Sequence, residues 1–160
     1  MYPKDFIQNV LIGEIAVLSE TNPYITFALM AIGIEFLGKC LDTNEHDWNK
    51  GKSKVNFEKA INTLDSLEKY RKYLPSNQYG LWDSLRNGFA HSFVPKKQLG
   101  LSSKGEAEHV LEYTQNNIRK LNLKCEDLYI DFKGACIEVI GMNFASDNKM
   151  MKPLLSVPED

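Results

Sequence analysis

The chain has 160 residues and a formal net charge of −2, with 43% hydrophobic and 25% charged residues. Those proportions suit one globular domain with a sizeable core and argue against a disordered or fibrous chain. The near-neutral balance excludes attraction of nucleic acid by a global field, so any such binding must come from a local patch.

Met1-Tyr2-Pro3-Lys4-Asp5 has neither the basic nor the apolar region of a secretory signal, which predicts a cytoplasmic protein. Phe6, Val10, Leu11, Ile15 and Leu18 then mark an amphipathic helix from about Pro3 to Glu20. Thr21-Asn22-Pro23 is a break, and Pro23 suits the first position of a second helix reaching about Leu41. Phe27 to Leu37 is apolar nearly all round. It is short for a membrane span and contains Glu35, so it is predicted to be a buried central helix with no membrane role. Asp42 to Ser53 is polar and irregular. His46 beside Asp47 in that loop has no second ligand at metal-binding spacing. A third helix is predicted from about Lys54 to Tyr73, stopped by Pro75, with Phe57, Ile61, Leu64, Leu67 and Tyr70 on one face. Its basic and aromatic end, Lys69-Tyr70-Arg71-Lys72-Tyr73, fits either a nucleic-acid surface or a solvated helix terminus.

Leu81, Trp82, Leu85, Phe89 and Phe93 recur at three- and four-residue steps and predict a fourth helix ended by Val94-Pro95. Lys97–Ser103 and Ala107–Thr114 resemble short strands around the turn Ser103-Lys104-Gly105, with a third extended piece at Ile118–Leu123. His109 lies in that strand pattern with no partner in sight. Leu128, Phe132, Ala135, Cys136, Val139 and Ile140 give a last helix from Glu126 to about Ala145. The expected fold is therefore mainly α, a helical bundle of about five helices with a small β-hairpin insertion. Residues 1–147 form one domain and 148–160 a loose tail. Cys40, Cys125 and Cys136 form no C-x-x-C pair and are predicted to be buried free thiols rather than a disulfide or zinc set. No cofactor motif is present: the chain lacks a Gly-rich phosphate loop, a G-x-S-x-G elbow and an H-E-x-x-H pair.

The fourth helix carries the chemistry. Arg86-Asn87-Gly88-Phe89-Ala90-His91 puts a permanent, phosphate-shaped cation and a group titrating near neutrality on one helix. RNA brings its own nucleophile, the 2′-hydroxyl. Cleavage then needs a base, a cation for phosphate charge, and alignment. His91 suits the base or acid, Arg86 the phosphate grip, and Asn87, one turn before His91, the orientation of either. Positions five apart lie well over a quarter-turn off each other on an ideal helix, so Arg86 must reach round or two chains must share the work across a two-fold axis. Gly88, costing roughly 1 kcal/mol inside a helix, suggests close approach of another backbone or of substrate. Lys96 and Lys97 extend a cationic track for substrate. Glu35, on the most apolar helix, needs a partner. It pairs with Arg86, tunes His91, meets some other cation, or reaches solvent at the helix edge. The plain alternative for the motif is a structural salt bridge at Arg86 and a satisfied histidine at His91.

Arg86, Asn87 and His91 stand where the HEPN superfamily carries its arginine, polar residue and histidine, and the chain resembles that family there. The likeness is specific over about fifteen residues. It implies an α-helical domain that dimerises with both motifs facing one cleft. It also implies a metal-independent ribonuclease of the toxin–antitoxin or phage-defence kind, with Arg86 and His91 catalytic and Asn87 supporting. RNA is then the substrate, a second copy of the chain the partner, and a nucleotidyltransferase the antitoxin if one exists. Some members have lost activity and bind nucleotide, RNA or a partner protein, which is the alternative expectation.

Overall fold

The computed structural model describes residues 1–42, 52–105, 107–145, 147 and 151. His46, Asp47 and Trp48 lie outside the described residues, as does the expected tail apart from Met151.

Six α-helices are present among the described residues, rather than about five. The difference begins at the first helix. It starts as α1 (Pro3–Phe6), winds more widely over Ile7–Glu14 as a π-helix, and resumes as α2 (Ile15–Thr21). Ile7, Leu11, Ile12 and Ile15 are buried, so the widened turn still serves one apolar stripe. Asn22 breaks the chain with φ −138° and ψ 65°, and Pro23 opens α3 (Pro23–Cys40).

α3 is the central helix. By length and composition it would suit a membrane span, yet 56% of it is buried inside the structure, as befits a core helix. Its closest neighbour is α4 (Ser53–Thr63), and the two meet at Gly38. A Cβ there would lie 1.7 Å from the Asn56 carbonyl oxygen, so only glycine allows this approach. The long third helix expected from the sequence is cut in two. Leu64 is extended (φ −84°, ψ 129°), and Asp65–Tyr73 continues as a tighter 3₁₀ helix. The cause comes from elsewhere in the chain. The carboxylate of Glu138 accepts the backbone amides of Asp65 (2.9 Å) and Ser66 (2.8 Å), capping a new start.

The β region is a three-stranded sheet, not a single hairpin: β1 (Leu99–Ser102), β2 (Leu111–Gln115) and β3 (Ile118–Lys124) in the order β1-β3-β2. The hairpin joins β2 to β3. Its two-residue turn is Asn116-Asn117, both at positive φ, a conformation asparagine tolerates. The turn at Lys104-Gly105 leads out of β1 but does not pair β1 with β2, which corrects the expected hairpin. β1 instead pairs with β3 in parallel, Leu99 against Leu121 and Leu101 against Leu123. Leu99, Leu121 and Leu123 turn into the core, while β2 stays at the surface. α6 (Cys125–Gly141) follows directly and packs on α3, ending about four residues sooner than its periodicity suggested. Cys40, Cys125 and Cys136 are buried and free, as expected; burial pushes the Cys40 and Cys125 thiols up to about 12.

Candidate functional site

The helix bearing the motif is itself irregular. Trp82–Asn87 is π-wound, and Gly88–Ser92 continues as α5. A widened turn leaves carbonyls without their usual partners, and here the Ser84 carbonyl accepts the Lys96 amide at 3.0 Å. The chain after the helix is thereby folded back along it. Gly88 makes that return possible. A Cβ at Gly88 would lie 2.7 Å from the Val94 carbonyl oxygen and 3.2 Å from the Pro95 Cα. The backbone that approaches Gly88 is thus the chain's own, not a second subunit or substrate, which corrects the sequence-based inference.

Arg86 faces inward. Its Nε donates to Glu35 Oε2 at 2.5 Å, with Glu35 presented by α3 and its side chain 8% exposed. The same Glu35 oxygen accepts the Ser53 hydroxyl at 2.7 Å, and the Trp82 indole N–H reaches Ser53 Oγ at 3.4 Å. Lys39 stands 4.0 Å from the other carboxylate oxygen. A carboxylate in this setting requires such compensation, and of the alternatives open from sequence the partnership with Arg86 is the one found. Glu35 is therefore a buried support of the arginine rather than part of an open substrate surface. Only Nε of the guanidinium is engaged among the described residues. Its two terminal amino groups keep the fork that grips a phosphate.

Asn87 is held by its side-chain amide, which donates to Asp83 Oδ1 at 2.9 Å. The other oxygen of Asp83 takes the ammonium of Lys96. These two hydrogen bonds, Lys96 first, hold the Asp83 carboxyl below its usual range. Lys96 is thus partly committed to its own chain, whereas Lys97 is exposed and has no ion pair among the described residues. His91 is exposed and makes no hydrogen bond among the described residues. Arg86 and His91 share a helix, and no hydrogen bond joins them among the described residues.

The other described histidine has the opposite setting. His109, which looked partnerless in sequence, accepts the Lys124 backbone amide at Nδ1 (3.0 Å). An amide only donates, so the ring proton sits on Nε2 and points to the Tyr70 hydroxyl at 2.6 Å. Tyr70 donates onward to Asp131 Oδ2 at 2.5 Å, and Lys69 closes on Oδ1 at 2.9 Å. Burial would raise the Asp131 carboxyl, but the hydrogen bonds from His109, Tyr70 and Lys69 together outweigh it and hold the group low. Burial, then the Asp131 charge, pushes the Tyr70 phenol up. The basic and aromatic run at 69–73 resolves accordingly. Tyr70 and Tyr73 are core residues, Lys69 and Lys72 face Asp131 and Glu112, and Arg71 binds Glu68 and the Ile61 carbonyl.

The chain shows no significant match to any protein-family model, curated protein or solved structure. The HEPN likeness accordingly rests on Arg86, Asn87 and His91 and on their helical setting. The sequence alone passed over Asp83, Ser53 and Trp82. Asp83 and Asn87 stand four apart on one helix, a spacing that predicts their contact. Ser53 carries no such signal, because it reaches Glu35 from another helix.

Proposed function

We propose that the protein is a HEPN-like, metal-independent endoribonuclease acting in the cytoplasm as a homodimer, of the toxin or phage-defence kind. The observation that carries this reading is the unequal treatment of the two motif residues. Among the described residues Arg86 is fixed through Nε by Glu35 with its phosphate-binding edge uncommitted, while His91 is exposed with neither ring nitrogen engaged.

In the proposed reaction His91 takes the proton of the RNA 2′-hydroxyl. The 2′ oxygen forms a bond to phosphorus, and the bond from phosphorus to the 5′ oxygen breaks. The leaving oxygen takes up a proton from water, giving a 2′,3′-cyclic phosphate and a 5′-hydroxyl. Arg86 stabilises the charge gathering on the phosphate oxygens. Two copies of the helix would let Arg86 of one chain serve His91 of the other, which answers their five-residue spacing within a chain. The test is digestion of RNA by purified protein in the presence of a chelator, with His91→Ala and Arg86→Ala alongside. Cyclic phosphate ends that vanish in both variants support the proposal; wild-type activity in either rejects it.

A second reading is a non-cleaving module that binds nucleotide, RNA or a partner. The Nε of Arg86, committed to Glu35, favours it. Saturable RNA binding without cyclic phosphate product would select it.

A further inference from the structure

Glu35 presents its carboxylate to two cations. Oε2 takes the Arg86 Nε at 2.5 Å, and Oε1 stands 4.0 Å from the Lys39 ammonium, one turn further along α3. The torsion that turns a carboxylate about its own bond has broad wells, so hydrogen bonds decide which way the two oxygens face. Neither cation decides it alone, because the N–H groups of both can bond either oxygen.

Ser53 breaks the tie. Its hydroxyl donates to the same Oε2 at 2.7 Å. It reaches Glu35 from the first turn of α4, and the close approach of Gly38 to the Asn56 carbonyl, about one turn further along each helix, sets that distance. A serine hydroxyl is a free rotor unless a neighbour fixes it. Here the Trp82 indole N–H reaches Oγ at 3.4 Å, which leaves the serine proton to point at Glu35. Trp82 lies four residues before Arg86 on the motif helix, so the two side chains share a face. The bonds close a loop: Trp82 to Ser53, Ser53 to Glu35, Arg86 to Glu35, and back along the helix to Trp82. A satisfied network of this kind rigidifies its members more than a lone ion pair does.

We infer that Ser53, oriented by Trp82, is a positioning residue for Arg86. It holds Glu35 Oε2 toward the guanidinium, so that the terminal amino groups of Arg86 point one way. It acts through Glu35 and touches no substrate. The consequence for cleavage rests on the nuclease reading above; the consequence for the direction of Arg86 does not.

The experiment is proton–nitrogen NMR of the arginine side chains, with the Arg86 Nε–H signal identified by its loss in Arg86→Lys. In the wild type this proton exchanges slowly with water. Ser53→Ala speeds the exchange about tenfold or more, and Ser53→Thr, which keeps the hydroxyl, restores it. Trp82→Phe, which keeps an aromatic ring and removes the N–H, acts in the same direction by less. Backbone amide spectra check that each variant is folded. Fast exchange in the wild type overturns the inference, as does unchanged exchange in Ser53→Ala. Equally fast exchange in Ser53→Thr also overturns it and places the effect in packing. Should Ser53→Ala fail to fold, Trp82→Phe decides, and unchanged exchange there overturns the inference. RNA cleavage is scored separately. On the nuclease reading Ser53→Ala lowers kcat about tenfold with KM unchanged, and Ser53→Thr recovers it. Ser53-dependent protection of Arg86 without cutting by the wild type keeps the inference and rejects the nuclease. Cutting by the wild type, with Arg86 exchange indifferent to Ser53, does the reverse.

Discussion

His91 and His109 belong to one small protein and have opposite surroundings. His109 is packed under Tyr70 and Asp131, with the Lys124 amide on its other nitrogen; every polar atom of the ring is used. His91 stands on the surface with neither nitrogen engaged among the described residues. The difference teaches where to look for chemistry. A histidine whose hydrogen bonds are all spent on its own fold holds a strand to a helix. One left open on the same helix as an anchored arginine is available to a substrate.

The sharpest break of this comparison is to delete each ring in turn. His91→Ala should lower RNA cleavage by about 10²–10⁴-fold, with thermal unfolding unchanged within about 0.5 kcal/mol. His109→Ala should do the reverse, losing stability while the remaining folded protein still cuts. Digestion assays and melting curves on the same two preparations decide it, and a swap of these outcomes removes the distinction.

Next in size is Glu35→Ala. It leaves Arg86 half-buried without its anion, at an expected cost of about 3 kcal/mol in urea unfolding, and loosens the guanidinium for any phosphate. Unchanged stability would mean that Arg86 swings to solvent and that Glu35 supports nothing.

Tyr70→Phe removes the hydroxyl that links His109 to Asp131, for about 1–3 kcal/mol. The pH dependence gives this variant a second signature. Asp131 is held below its ordinary value of about 3.9 in the folded protein. Its contribution is therefore complete above that value and lost as acidity carries it through the lower folded one. The stability gap between wild type and Tyr70→Phe should narrow below about pH 4. A gap that stays constant into acid would place the cost in packing instead.

Lys97→Ala should give the smallest effect. With no ion pair among the described residues to lose, it should leave stability alone and reduce the salt dependence of RNA binding by about one unit of slope. An unaltered slope would take Lys97 off the substrate path.

Residue types and their spacing determined much of this protein without help. The apolar periodicity of 23–41 and of 126 to about 145, the breaks at Asn22 and Pro75, and the Arg86-to-His91 motif are properties of residues close together in the chain. The Asn116-Asn117 turn is equally local, but the sequence reading passed over it in favour of Ser103-Lys104-Gly105. Only the tertiary structure decided that Glu138 would cap Asp65 and split the expected helix, that β1 would pair in parallel with β3, that Gly88 makes room for Val94 and Pro95, and that Arg86 is anchored to Glu35 while His91 stays bare. Each of these depends on groups brought together by folding, where a donor far along the chain supplies a bond that no local pattern encodes.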